Sequence, residues 1–209
     1  RKCGGTKNKR ENGFPLGRKE KMIMRTILMM LLMSCCVNIM AQEKVNTKSL
    51  KTTFLSWATG SVKLFYEQSV SNRQTVEGAI GYIGAMHDEK KNNPKGFLLR
   101  GSYKWNVALI SEIEPLTGLY LKPEAMFSTF RYDNKETLLR ERSSMFALIG
   151  EVGYQWVKRG FVLDLFWGIG PALGKEADTW YEHGFMLFDF LGMKSKYIAC
   201  SAGIKLGCA

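Results

Sequence analysis

Residues 96 to 107 alternate between apolar and polar side chains with a period of two. Successive side chains of a β-strand point to opposite faces, so this run has one apolar face and one polar face. The apolar face carries Phe97, Leu99, Tyr103, Trp105 and Val107. The opposite face carries Leu98, Arg100, Ser102, Lys104 and Asn106. Similar alternation recurs downstream, which predicts a sheet lying between two different environments.

Eight strand-like segments are recognisable in this way. Most are about 10 to 13 residues long, which exceeds the usual five or six of soluble strands and suits a tilted crossing of a bilayer. The segments are 50–58, 62–71, 75–87, 96–107, 119–132, 145–158, 161–173 and 196–208. They predict an all-β fold, an eight-stranded antiparallel up-and-down transmembrane β-barrel.

The connections between segments differ in length from one end of this barrel to the other. Those near Asn72 and Gly160 are very short, whereas three others are longer and polar or mixed. The longer ones are 88–95, 133–144 and 174–195. Short periplasmic turns and long outer loops are typical of outer-membrane barrels. Two connections depart from this rule, because 58–61 is short on the outer side and 108–118 is long on the inner side.

Aromatic residues give a second indication of a membrane. Tyr103, Trp105, Tyr154 and Trp156 lie near the inner ends of their strands and on the apolar face, as a membrane-interface girdle requires. The alternative is a soluble sandwich or lipocalin-like barrel that turns this face inward. Such a barrel would crowd tryptophan and tyrosine into a small interior, so the membrane interpretation is preferred.

The beginning of the sequence predicts export. Residues 22–41 combine basic residues with a short apolar run, the layout of a signal peptide, and we expect cleavage after Ala41. A lipobox-like sequence ending at Cys35 leaves a lipoprotein as the alternative. Residues 1–21 look like an upstream segment outside the native protein, so the barrel domain is predicted to span 42–209.

The net charge of +11 is concentrated in the leader. Residues 1–41 hold nine basic and two acidic residues, which leaves +4 for the rest of the chain. A folded surface with this balance gives no reason to expect nucleic-acid binding.

Cys200 and Cys208 lie on the last segment. Eight residues of strand separate them by roughly 26 Å, whereas a disulfide needs α-carbons within about 7 Å. We expect two free thiols acting as small apolar residues of the outer face.

The chain also resembles a known class of proteins in its strand and turn motifs. These motifs are Leu64-Phe65-Tyr66-Glu67, Gly81-Tyr82-Ile83-Gly84, Gly96-Phe97 with Tyr103-Lys104, the run Pro115 to Glu124, and Gly153 to Trp156 leading into Gly160 to Asp164. They resemble the small outer-membrane β-barrels of Bacteroides-type bacteria, which include families of unknown function with an OmpA-like eight-stranded barrel. The resemblance implies contact with outer-membrane lipid and folding by the barrel assembly machinery. The final residues Leu206 to Ala209 lack the terminal aromatic residue usual in such barrels.

The predicted inner face carries many charges. An eight-stranded barrel has an interior just wide enough for side chains to fill, so charges that meet there must be paired. They are Lys63, Glu67, Arg100, Lys104, Lys122, Glu124, Glu151 and Asp164. We expect a structural ion-pair network in the lumen, and a gated, narrow ion path is the alternative.

Catalytic chemistry has little support in the sequence. His87 and His183 lie near carboxylates on the predicted outer side, and a histidine beside a carboxylate is a candidate general base for a lipid-modifying enzyme. No serine stands in a recognisable setting beside them, so both are interpreted as solvated loop residues. Histidine and cysteine spacing matches no metal site, and no cofactor is expected.

One loop contains an unusually apolar stretch, Phe185 to Met193. It is expected to extend the seventh or eighth strand or to fold over the barrel mouth, while a contact with a partner or with lipid headgroups is the alternative. The prediction for the whole chain is a monomeric, non-enzymatic barrel of the cell outer membrane. Its role is structural, or is the binding of an unknown extracellular ligand through loops 88–95, 133–144 and 174–195. The alternatives are a soluble periplasmic ligand-binding barrel and a lipid-modifying enzyme of the outer membrane.

Overall fold

A computed structural model describes residues 47–53, 61–85, 92–107, 116–135, 137–175, 183–189 and 196–209. The strands are β1 (Lys48–Thr53), β2 (Ser61–Ser71), β3 (Gln74–Ile83), β4 (Lys95–Asn106), β5 (Gly118–Asp133), β6 (Arg140–Lys158), β7 (Phe161–Lys175), β8 (Met186–Asp189) and β9 (Lys196–Cys208). The predicted upstream segment and signal peptide lie outside the described residues. No helix in these ranges has the length and hydropathy needed to cross a bilayer.

The strands form one closed antiparallel sheet. Each strand from β1 to β7 pairs with the next, β7 pairs with β9, and β9 returns to β1. The predicted all-β, eight-stranded, up-and-down barrel is therefore confirmed. The short β8 is an addition that pairs with β9 alone among the described strands.

One edge of β9 is shared between two partners. Lys205 to Cys208 pair with β1, and Tyr197 to Cys200 pair with β8. The opposite edge pairs with β7 along the whole strand. Short β8 therefore occupies the edge of β9 beyond the positions that β1 covers.

Most predicted segments coincide with observed strands, and the differences have local causes. The third segment was expected to reach residue 87, but β3 ends at Ile83 because Gly84 adopts a positive φ of 98°. The sixth begins earlier than expected, at Arg140, because it pairs with Asp133 at the base of a long hairpin. Residues 54–58 of the first segment are outside the described ranges.

Two tight turns mark one end of the barrel. Ser71 pairs with Gln74, and Lys158 pairs with Phe161, so each connection has two residues. Arg159 and Gly160 both adopt positive φ values, 51° and 78°, as the type I′ turns that suit the twist of a hairpin require. This end is the turn end below, and the end with β8 and the β5–β6 hairpin is the loop end.

The alternation along the strands separates the two faces of the wall. On β4, Phe97 is 49% and Trp105 43% exposed, whereas Leu98 and Lys104 are each 1% exposed. On β3, β5, β6 and β7 as well, large apolar side chains are exposed on the outside and charged side chains are buried inside. The predicted outward face of each of these strands is thus the observed one.

Candidate functional site

The lumen is organised in layers that can be read along β5 and β6. Starting at the turn end, inward Val157 packs with Leu116 and Val162 as an apolar floor. A layer of charged side chains follows. Above it lies an apolar collar, which consists of Met126, Met145, Ala147, Ile149, Ala172, Phe185 and Ala199. Serine and histidine side chains occupy the mouth above the collar. The charged layer therefore lies between two apolar layers.

Lys122 is one centre of the charged layer. Its Nζ lies 3.0 Å from Glu77 Oε1, 2.6 Å from Glu124 Oε2 and 2.7 Å from Glu151 Oε2. Arg100 Nη1 donates to the other oxygen of Glu124 at 3.0 Å. One ammonium group thus holds three carboxylates that would otherwise repel each other.

Lys51 is the second centre. Its Nζ lies 2.9 Å from Glu67 Oε2, 2.5 Å from Glu77 Oε2 and 3.0 Å from Asp164 Oδ2. Lys104 reaches Glu67 at 2.6 Å. Lys205 reaches Glu77 at 2.7 Å and Asp164 at 3.7 Å. Because Glu77 contacts cations of both centres, the ion pairs form one connected network.

This network is balanced in charge and closed to solvent. It joins five cations to five carboxylates, and every side chain in it is 0–3% exposed. Charges taken out of water at this depth persist only when each has partners at hydrogen-bond distance. The network itself therefore carries no net charge.

Neutral groups complete the packing. Gln155 accepts from Lys51 and Lys104 at 3.0 and 2.7 Å, and Tyr120 donates to Asp164 at 2.6 Å. Lys104 Nζ also lies 4.1 Å from the centre of the Tyr120 ring. Such cation–π contacts strengthen when the partners are desolvated.

Small residues make room for this layer. A Cβ on Gly168 would come 2.5 Å from Glu151 Cγ, so only glycine leaves space for that side chain. Glu151 Oε1 has no hydrogen-bond partner among the described residues. This carboxylate is therefore the least satisfied acid of the network.

The structure places seven of the eight predicted lumen residues in the network. They are Glu67, Arg100, Lys104, Lys122, Glu124, Glu151 and Asp164. The eighth, Lys63, is buried nearer the mouth, beside Gly184. Sequence reasoning missed Lys51, Glu77 and Lys205 as members. Inward alternation on β3 and β9 was a signal for Glu77 and Lys205, whereas the segment around Lys51 alternates poorly.

A histidine closes the mouth. Ser143 Oγ donates to the carbonyl of Lys175 at 2.6 Å, so it accepts from His183 Nε2 at 2.9 Å. The other ring nitrogen, Nδ1, then accepts from Ser128 Oγ at 2.6 Å. His183 is 2% exposed, and burial lowers its pKa to about 4 from its ordinary 6.5. The ring is neutral at pH 7 and is held on both sides.

The residues after His183 complete the closure. Gly184 adopts a positive φ of 89°, and its carbonyl accepts from Arg100 Nη2. Phe185 is 3% exposed within the apolar collar. These three residues, His183–Gly184–Phe185, are called the plug. Through it the chain crosses the lumen from β5 and β6 towards β4 before it forms β8.

One prediction for this region was wrong. His183 was expected to be a solvated loop residue without a serine beside it, but the plug folds inward to where Ser128 and Ser143 satisfy both ring nitrogens. The apolar stretch was expected to lengthen the seventh or eighth strand or to fold over the barrel mouth. Its residue Phe185 lies in the mouth, and Met186–Asp189 forms a separate strand. His87 and residues 190–193 are outside the described ranges.

Ser128 and His183 have the relative position of a nucleophile and a general base, with Ser143 as the orienting group. Ser128, however, is only 1% exposed, and the plug covers it. A substrate has no path to this oxygen while the plug is in place. The two hydrogen bonds therefore serve to hold the plug in the mouth.

The predicted girdle residues lie on the outer wall near the turn end. Trp105, Tyr154 and Trp156 are exposed, and Tyr103 is half-buried with its ring 4.8 Å from that of Trp105. Lys158 Nζ lies 5.7 Å from the Trp156 ring. All four aromatic side chains face away from the lumen.

The described cysteines form no disulfide bond. Cys200 and Cys208 are free thiols, the second buried and the first half-buried. Within the described ranges, no group of three or more histidine, cysteine or acidic side chains is placed to hold a metal ion.

The β5–β6 hairpin is the described part of loop 133–144. Glu141 accepts from Asn134 Nδ2 at 2.8 Å and from Thr137 Oγ1 at 3.1 Å, which orders the tip. Leu138 is nevertheless 88% exposed and Leu139 66%. Of the other two predicted binding loops, only 92–95, 174–175 and 183–189 are described.

Comparison with known proteins adds a family and no activity. No solved structure matches the chain. Residues 27–199 match the family described as "Protein of unknown function (DUF3575)". That match covers most of the chain, including all of the strands from β1 to β8. The chain therefore belongs to the DUF3575 family.

Proposed function

We propose that this protein is a non-enzymatic β-barrel of the outer membrane, with a sealed lumen and a contact role at its loop end. The observation that carries the proposal is the inverted polarity of the wall. Ion pairs fill the interior, while large apolar side chains cover the outside of every strand from β2 to β7. In water such an exterior would far exceed the apolar patches that soluble monomers tolerate.

The height of the apolar surface supports a bilayer. On β6, outward residues are apolar from Phe146 to Trp156, about 33 Å along the strand at roughly 3.3 Å per residue. With a tilt of about 40°, this becomes roughly 25 Å, the height of the apolar band of outer-membrane barrels. Beyond Phe146 the outward pair is Arg131 and Arg142, so the surface turns polar there. We call this band the apolar belt.

The closed lumen argues against transport as the main role. A balanced ion network lies between two apolar layers, and the plug covers the mouth. The site that remains for function is the surface of the loop end. There the ordered hairpin exposes Leu138 and Leu139 beside Arg140 and Arg142, which suits an anionic partner with an apolar patch.

The test is surface labelling of intact cells. Cys200 and Cys208 are replaced by serine, and Thr137→Cys at the loop end is compared with Asn72→Cys at the turn end. Both positions are exposed. We expect a membrane-impermeant maleimide to label position 137 on intact cells and position 72 only after lysis. The protein should fractionate with the outer membrane and migrate faster on gels when unheated.

Other outcomes would reject the proposal. Recovery of the protein in the soluble periplasmic fraction would favour a ligand-binding barrel. Altered lipid A in a deletion strain, restored by the intact gene but not by a Ser128→Ala variant, would favour an enzyme.

A further inference from the structure

We propose that the plug His183–Gly184–Phe185 is a releasable gate of the barrel mouth, and that a second proton on His183 releases it. This inference concerns the lumen and goes beyond the surface role. It rests on three contacts that hold the plug and on the charges that face it.

In the closed plug, His183 is a neutral ring with one accepting and one donating nitrogen. Nδ1 accepts from Ser128 at 2.6 Å while Nε2 donates to Ser143 at 2.9 Å. Ser143 has given its own hydroxyl hydrogen to the Lys175 carbonyl at 2.6 Å. A proton added at Nδ1 forces Ser128 Oγ to change from donor to acceptor, and it places a positive charge in a buried site between two hydroxyl groups and two aromatic rings.

Among the described residues, those that contact the His183 ring carry no negative charge. From β5 it meets Ser128 and the Phe130 ring, whose centre is 4.8 Å away. From β6 it meets Ser143, and within the plug it stacks on Phe185 at 6.1 Å. None of the described contacts of the ring is with a carboxylate.

The charged groups facing the next residue are cations. Arg100 of β4 donates to the Gly184 carbonyl, and Lys63 of β2 lies beside Gly184. Glu124, the carboxylate that binds Arg100, also binds Lys122. A proton on His183 would thus place a further positive charge near Arg100 and Lys63. From β7 and β9, Ala172 and Ala199 belong to the same apolar collar as Phe185, and half-buried Tyr197 of β9 packs against that collar.

The strand that follows the plug attaches it to the barrel wall by few contacts, so the plug can move. The strand that follows it, β8, is four residues long and pairs only with β9 among the described strands. Release would uncover the apolar collar and leave the ion network below in place. The expected result of opening is therefore access to the upper lumen, without a through pore.

The gate is tested by labelling a thiol beneath it in the full-length barrel refolded into detergent micelles. Met126 belongs to the collar under Phe185, so Met126→Cys reports opening in a background with serine at positions 200 and 208. Exposed Thr137→Cys, labelled at the same pH, corrects for reagent chemistry. The pKa of His183 is about 4 with the plug closed, and we take its ordinary value of 6.5 for the open plug. Lowering the pH from 7 to 5 then raises the fraction of open barrels about 20-fold. The corrected labelling rate of position 126 should rise accordingly.

The matched variant is His183→Gln, which keeps one acceptor and one donor but cannot gain a proton in this range. Its corrected rate should stay constant between the two pH values. An equal rise in this variant would overturn the proposal, as would a constant rate with His183 present. The heat-dependent gel shift shows that each barrel is folded, and His183→Asn serves as the second neutral variant if glutamine prevents folding.

Discussion

Lys122 is the most demanding test of the lumen network. It contacts three carboxylates at 2.6 to 3.0 Å, and without its charge these three acids repel one another in a site closed to water. The desolvation of the ammonium group offsets part of its attraction to them. A carboxyl group left without its cation also binds a proton, which limits the loss. Lys122→Met should therefore lower the free energy of unfolding by about 3–5 kcal/mol, as for other broken buried pairs.

The measurement is urea unfolding of the barrel refolded into micelles, followed by tryptophan fluorescence. Lys158→Met is the control, because Lys158 is exposed at the turn end and should cost under about 1 kcal/mol. Adding Glu151→Gln to Lys122→Met should recover about 1–3 kcal/mol, since Glu151 Oε1 has no hydrogen-bond partner among the described residues. A loss at Lys122 no larger than that at Lys158 would refute the picture of a dry, tightly coupled network.

Three further predictions address the belt, the plug and the wall. Val152→Arg, outward in the middle of the apolar belt, should cost about 2–4 kcal/mol in lipid vesicles, and Val107→Arg near the interface about 0–1; equal losses would contradict a bilayer-spanning belt. His183 has a folded-state pKa of about 4 against an ordinary 6.5, so its contribution is complete above pH 6.5 and is lost as the pH falls towards 4. Urea unfolding should show up to about 3 kcal/mol of this loss, which His183→Gln should abolish. On β4, a Cβ at Gly96 would overlap the Thr129 carbonyl, whereas a Cβ at Gly101 meets nothing within 4 Å. In urea unfolding, Gly96→Ala should therefore destabilise the barrel by over about 2 kcal/mol, and Gly101→Ala should leave its stability unchanged or slightly raised.

The wall of the barrel was predictable because its chemistry repeats every second residue. Each strand from β2 to β7 has exposed apolar side chains on one face and buried charges on the other, so local alternation reveals both the strand and the direction in which its side chains point. Inward positions such as Glu124 and Asp164 follow directly from this period. The ends of β3 and β6 were less predictable, since a positive φ at Gly84 and pairing across a long hairpin set them.

The mouth was not predictable from local pattern. The plug contributes one histidine, one glycine and one phenylalanine, which show no period. Their places depend on Ser128 and Ser143, separated from His183 by 55 and 40 residues. Lys51 was missed for a related reason, because its partners Glu67, Glu77 and Asp164 come from three other strands and its own segment alternates poorly.

Equality of cations and carboxylates within the ion network constrains how the family can diverge. Loss of one network cation leaves its carboxylates without that partner, so accepted replacements there should come as compensating pairs such as a lysine and a glutamate lost together. The outward apolar positions carry no such constraint, and leucine, valine and phenylalanine can exchange there freely. Related chains should therefore show correlated substitution within the bore and independent drift on the exterior.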